Sequence, residues 1–148
     1  MQPSSGVRYK ISIALHAISI LLFLASLTQP AYEALTTNGP SVNYGFFALL
    51  FGMVGHKSWF ANPLLFFAWV LFVKGYGYVS SLVALVALGI SLTFLPEGQK
   101  VVVGSMGAYP YQALIGYYIW LSSLVMAIVS GLVHGYQVNP TAAAASDA

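Results

Sequence analysis

The sequence predicts an all-α fold, a polytopic transmembrane bundle of four or five helices, and three observations carry that expectation. First, 59% of the 148 residues are hydrophobic and 5% charged, with a mean hydropathy of +0.81. Soluble domains are about half apolar and a quarter charged. Second, the charged residues Arg8, Lys10, Glu33, Lys57, Lys74, Glu97, Lys100 and Asp147 all fall between or beyond apolar runs. Lipid imposes that partition, because an ion at mid-bilayer costs at least about 2.5 kcal/mol. Third, several apolar runs approach or reach the roughly 20 residues that cross a bilayer.

Residues 1–10 read as a polar, cytoplasmic N-terminal segment, and residues 11–135 as the bundle. Ile11 to Leu27 is an uncharged run of about 17 residues, a short but sufficient span. It is too long for the apolar part of a cleaved signal, and Leu24-Ala25-Ser26 makes a poor cleavage site. Thr28 to Asn43, with Pro30, Glu33, Asn38, Gly39 and Pro40, reads as an external loop. Tyr44 to Gly55 and Pro63 to Val73 are apolar but separated by His56-Lys57-Ser58, which predicts two short helices and a turn. Asn62-Pro63 has the form of a helix start, with Asn62 as N-cap and proline at the first helical position. Lys74-Gly75-Tyr76-Gly77-Tyr78 supplies the next turn, and Val79 to Leu95 a further span that Pro96 ends. Glu97 to Tyr111 reads as a loop with a short strand-like piece at Lys100 to Val103. Gln112 to Val133, about 22 residues, forms the last span. The Ala-rich tail over 136–148 has the composition of a disordered segment.

Two topologies follow. With the N-terminus cytoplasmic, five spans leave Arg8, Lys10, Lys57 and Lys100 inside and only Lys74 outside. Four spans, with Tyr44 to Gly55 re-entrant or on the outer surface, leave Arg8, Lys10 and Lys74 inside. Charge bias favours five and the shortness of the two segments on either side of Lys57 favours four; on balance five is the preferred topology.

Helices in lipid associate through small residues and interhelical hydrogen bonds. At 100° per residue, Ser12, His16, Ser19 and Ser26 share a face of the first helix. Ser80, Ala84, Ala87 and Ser91 do so on the Val79 helix, and Gly116, Ser123, Ala127, Ser130 and His134 on the last. Gly45 and Gly52 share a face of the Tyr44 segment. These faces predict tight packing, with Gly45, Gly52, Ala84, Ala87, Gly116 and Ala127 as contact points. The alternative is a polar path lined by His16 and by Ser12, Ser19, Ser123 and Ser130.

His16 is the titratable group well inside a span, a position that marks proton relays, ligand contacts and metal ligands as well as neutral packed imidazoles. His134 ends the last span and would pair with His16 as axial ligand to a b-type haem only if both lie at one depth, which four spans allow and five forbid. His56 beside Lys57 reads as interfacial and solvated. No acidic residue sits in a span, which leaves coupled transport without its usual carboxylate. No catalytic constellation, nucleotide loop or cysteine chemistry is visible, and the five dispersed basic residues make no nucleic-acid footprint.

The functional expectation is a multi-pass, non-enzymatic accessory or structural subunit without cofactor or metal. Its partners are membrane lipids and other transmembrane helices, in a hetero-complex or a homo-oligomer. A small oligomeric channel or transporter and a haem-binding membrane subunit are the alternatives.

Overall fold

The computed structural model describes residues 5–36, 39–54, 56–97 and 111–138. It is mostly helical. Helix α1 is Ser5–Thr28, α2 Gly45–Phe51, α3 Ala61–Val73, α4 Gly77–Leu92, α5 Phe94–Glu97 and α6 Ile115–Val138. The first helix starts earlier than expected, so Arg8 and Lys10 lie within it rather than in a separate segment. The last continues to Val138, three residues into the stretch expected to be disordered. The expected strand-like piece at Lys100 to Val103 lies outside the described residues.

The fold is not all-α. Strands β1 (Pro30–Thr36), β2 (Gly39–Tyr44) and β3 (Tyr111–Ala113) form an antiparallel sheet in the order β2-β1-β3. Glu33, in the central strand, pairs with Val42 on one side and Gln112 on the other. The segment expected as an external loop is therefore mostly a hairpin. Thr36 pairs with Gly39 at the end of the hairpin, and Gly39 has a φ of +108°, which a side chain would resist.

Tyr44 to Gly55 does not form a spanning helix. Helix α2 has 7 residues and hands over to a short 3-10 turn, Gly52–Val54. At about 1.5 Å per residue it reaches roughly 10 Å, a third of a bilayer core. A second 3-10 turn, Lys57–Phe60, runs into α3. Asn62 does not cap that helix: the N-cap is Phe60, without a side-chain bond, and Asn62 is buried within the first turn. Pro63 follows it there, where its missing N–H costs no intrahelical bond.

The four longer helices alternate in direction. His16 stacks on Phe72 and Phe23 meets Phe66, which makes α1 and α3 antiparallel. Ser80 Oγ donates to the Ala68 carbonyl at 2.7 Å, and Ser81 Oγ to the Ile128 carbonyl at 2.7 Å. Tyr9 lies beside His134, and Ser19 Oγ donates to the Ser123 carbonyl at 2.8 Å. The beginning of α1, the α3–α4 turn and the end of α6 therefore lie together at one end, and the sheet at the other.

Between them lies a core of Ala61, Leu65, Ala68, Ala84, Ala87, Leu124 and Ala127 with Phe23. Alanine at five of those positions brings backbones close. A close approach joins α4 and α6, where a Cβ on Gly77 would run into the backbone of Gly135 and the carbonyl of Gly131.

Candidate functional site

At the end that holds the start of α1 and the end of α6, two histidines and three aromatic rings meet. His16 stacks on Phe72 with centroids 4.1 Å apart and planes 7° from parallel, and Trp69 approaches its edge at 6.4 Å. Phe72 also lies 4.8 Å from His134, which in turn lies 6.1 Å from Tyr9. His16 and His134 come together at one end, the arrangement that only the four-span alternative allowed, because α1 and α6 are antiparallel. Phe72, however, packs against both imidazoles. A macrocycle ligated by both would have to take the place of that ring, so the residues do not fit a haem as they stand. Ser12 Oγ donates to the Tyr9 carbonyl at 2.8 Å and lies 3.5 Å from His134 Nδ1. His16 Nδ1 is buried with no hydrogen-bond partner. Among the described residues no three His, Cys, Asp or Glu side chains come together as a metal site would need.

The serines expected either to pack or to line a path are all buried. Ser19 accepts from Trp69 Nε1 at 3.0 Å while donating to Ser123, so one hydroxyl ties α1, α3 and α6. Ser123 Oγ donates to the Trp120 carbonyl at 2.7 Å and Ser130 Oγ to the Ala127 carbonyl at 2.9 Å, both within their own helix. Their donors are thus committed to backbone. Of the expected contact glycines, Gly45 is pressed against the Ser26 carbonyl, Gly52 against the Trp59 ring and Gly116 against the Pro30 carbonyl.

The opposite end holds the site that sequence reasoning missed. Under the sheet is a cavity of about 70 Å³, walled by α1, α2, the 3-10 turn before α3, and α6. Its lining includes the aromatic residues Phe23, Tyr32, Trp59, Phe94, Tyr117 and Trp120, and it has no Asp, Glu, Lys or Arg among the described residues. His56, expected to be solvated, instead packs on Tyr111 at 4.9 Å, Phe94 at 5.3 Å and Tyr32 at 5.4 Å. Burial raises the Tyr32 phenol above its ordinary value, so it stays protonated and neutral through physiological pH.

Several polar groups of the wall are already satisfied. Trp59 Nε1 donates to the Leu49 carbonyl at 2.6 Å, Ser26 Oγ to the Phe23 carbonyl at 2.6 Å, and Tyr117 Oη to the Ser91 carbonyl at 2.9 Å. The Trp59 bond pins α2 to the turn before α3. Replacing Trp59 by Phe keeps most of the ring but leaves the Leu49 carbonyl unpaired, at a cost of about 1 kcal/mol. Hydrogen exchange over residues 45–53 should accelerate while the rest of the chain keeps its protection; uniform behaviour along the chain would refute the pinning.

No protein-family model, curated protein or solved structure matches this chain. Its function is therefore argued from the chemistry of these two ends and of the surface between them.

Proposed function

We propose that this chain is a multi-pass membrane protein that serves as a non-enzymatic accessory or structural subunit, contacting lipid and other membrane helices through its apolar sides. The observation that carries the reading is the surface of the longest helices. Both α1 and α6 are long and apolar enough to cross a membrane. In α1 only 28% of the apolar window is buried inside the chain. The core helix of a soluble protein is mostly covered; this one leaves Ile13, Ile18, Leu21 and Leu24 uncovered. On the other helices Phe67, Val70, Leu82, Leu85, Val125 and Leu132 are exposed in the same way. Such an expanse of large apolar side chains far exceeds the patches that soluble monomers tolerate.

On this reading α1, α3, α4 and α6 are four spans. Helix α4 has 16 residues, and the turn before α3 extends that segment to 17, from Lys57 to Val73. At about 1.5 Å per residue these two reach roughly 25 Å, which a locally thinned bilayer and snorkelling lysines accommodate. Arg8, Lys10 and Lys74 then sit at one end and Lys57 at the other, which puts the N-terminus and the end of α6 in the cytoplasm and the sheet outside.

The small-residue faces do not supply the partner contact, because this chain uses them on itself. What remains for a partner is the large-residue surface, and the channel reading draws no support from serines committed to carbonyls. Alkaline carbonate extraction followed by native mass spectrometry of gently solubilised protein tests the proposal. The chain should stay in the pellet and leave the detergent with a second polypeptide or a second copy in fixed ratio. Release by carbonate would refute membrane embedding, and a bare monomer would refute the subunit role.

A further inference from the structure

We propose that the cavity beneath the sheet binds the carbonyl group of a small uncharged molecule, held by the side-chain amide of Asn62 and the hydroxyl of Ser58. This goes beyond the subunit role, giving the chain a ligand as well as a partner.

Asn62 and Ser58 are 7% and 5% exposed, and both line the cavity. Neither side chain has a hydrogen-bond partner among the described residues. Buried polar groups are nearly always paired, and an unpaired one costs about 1–3 kcal/mol unless a water or ligand completes it. Ser58 lies in the 3-10 turn before α3 and Asn62 in the first turn of α3, and the cavity brings the two together in one wall. Trp120 Nε1, in the same wall, is a further buried donor without a partner. Of the two fully buried side-chain nitrogens without a partner among the described residues, Trp120 Nε1 is in this wall and His16 Nδ1 lies at the other end of the bundle.

The chemistry of the wall limits the occupant. An amide N–H₂ and a hydroxyl offer donors to an oxygen, and the amide oxygen and hydroxyl can accept in return. Among the described residues no Asp, Glu, Lys or Arg lines the cavity, so a carboxylate, phosphate or ammonium would lose its hydration without compensation from them. Aromatic side chains make up much of the remaining wall and favour an apolar body beside the oxygen. A volume of about 70 Å³ corresponds to roughly two waters at about 30 Å³ each, or to a group of about four heavy atoms. Water alone would satisfy the polar side and leave the aromatic side wet; a carbonyl group carrying a short apolar substituent satisfies both. That group can belong to a free solute or to the ester linkage of a lipid, since the membrane reading puts this end near the ester zone.

The three tryptophans provide built-in reporters. Trp120 lines the cavity with its indole unpaired, whereas the Trp69 indole is bonded to Ser19 away from it. ¹⁵N-labelled full-length protein in ether-lipid bicelles, which lack ester carbonyls, would be titrated with acetamide. The Asn62 side-chain amide and the Trp120 indole should shift saturably while the Trp69 indole stays in place. Asn62→Leu and Ser58→Ala, each with an unchanged Trp69 signal as evidence of folding, should weaken the response at least about tenfold. If transfer of the unliganded protein to ester-lipid bicelles reproduces the shift, the bound carbonyl is the lipid's; if acetamide alone does so, the ligand is a free solute. Shifts that are parallel in all three indoles, non-saturating, or unchanged by both substitutions would mean the cavity holds only water, and would overturn the proposal. Neither acetamide arm depends on the chain having a partner subunit, so failure here is distinct from failure of the subunit role.

Discussion

Gly77→Leu should abolish stable folding of the bundle, whereas Gly89→Ala on the same helix should leave it intact or slightly strengthen it. A Cβ at Gly77 would meet the backbone of Gly131 and Gly135, and main chain cannot rotate aside as a side-chain tip can. Nearby, Ser81 Oγ donates across the same crossing to the Ile128 carbonyl, a bond that requires the two backbones to stay close. Overpacking ordinarily costs about 1–3 kcal/mol, and a bulky side chain forced between two backbones belongs above that range. At Gly89 an added methyl meets nothing within 4 Å. There, removing the entropic cost of a helical glycine gains about 0.5–1 kcal/mol. Thermal unfolding in detergent, followed by the near-ultraviolet signal, compares the two directly. Equal behaviour of the two variants would show that the α4–α6 contact is not what holds the bundle.

That contact illustrates how far local pattern reaches. The faces Ser12-His16-Ser19-Ser26 and Ser80-Ala84-Ala87-Ser91 were legible because a helix repeats its face every three to four residues, and every one of those residues is buried. The face of α6 from Gly116 through Ser123, Ala127 and Ser130 to His134 was legible for the same reason. The neighbouring Gly131 and Gly135 have the small-xxx-small spacing that lets helices approach, a readable signal that was passed over. The hairpin was less legible, because Pro30, Asn38, Gly39 and Pro40 are the breakers of any loop. Asn62 was misread because an Asn-Pro pair at a helix start has a strong local meaning as a cap; only the preceding 3-10 turn, which carries the helix start back to Ala61, turns it into a buried wall residue. The cavity was not legible at all. Its lining runs from Phe23 to Trp120, and no periodicity links residues that far apart.

Ser19→Ala is expected to destabilise the bundle by about 2 kcal/mol, and Ser130→Ala by less than about 0.5 kcal/mol, although both serines are fully buried. The difference lies in what each hydroxyl joins. Ser19 links three helices, accepting from Trp69 and donating to Ser123, so its removal strands a donor on α3 and an acceptor on α6. Interhelical hydrogen bonds in bilayers average about 0.6 kcal/mol and reach about 1.7, and the stranded indole N–H, with no water nearby to take it, raises the cost. Ser130 donates back to Ala127 on its own helix, so its loss removes only a bond that a solvated helix also does without. Reversible unfolding in mixed micelles would rank the two variants. The ranking also bears on function: serines lining a path would alter permeation in proportion to their place along it, and leave stability alike in both variants. A stability gap that follows interhelical bonding makes these hydroxyls the fastening of the bundle rather than the lining of a path.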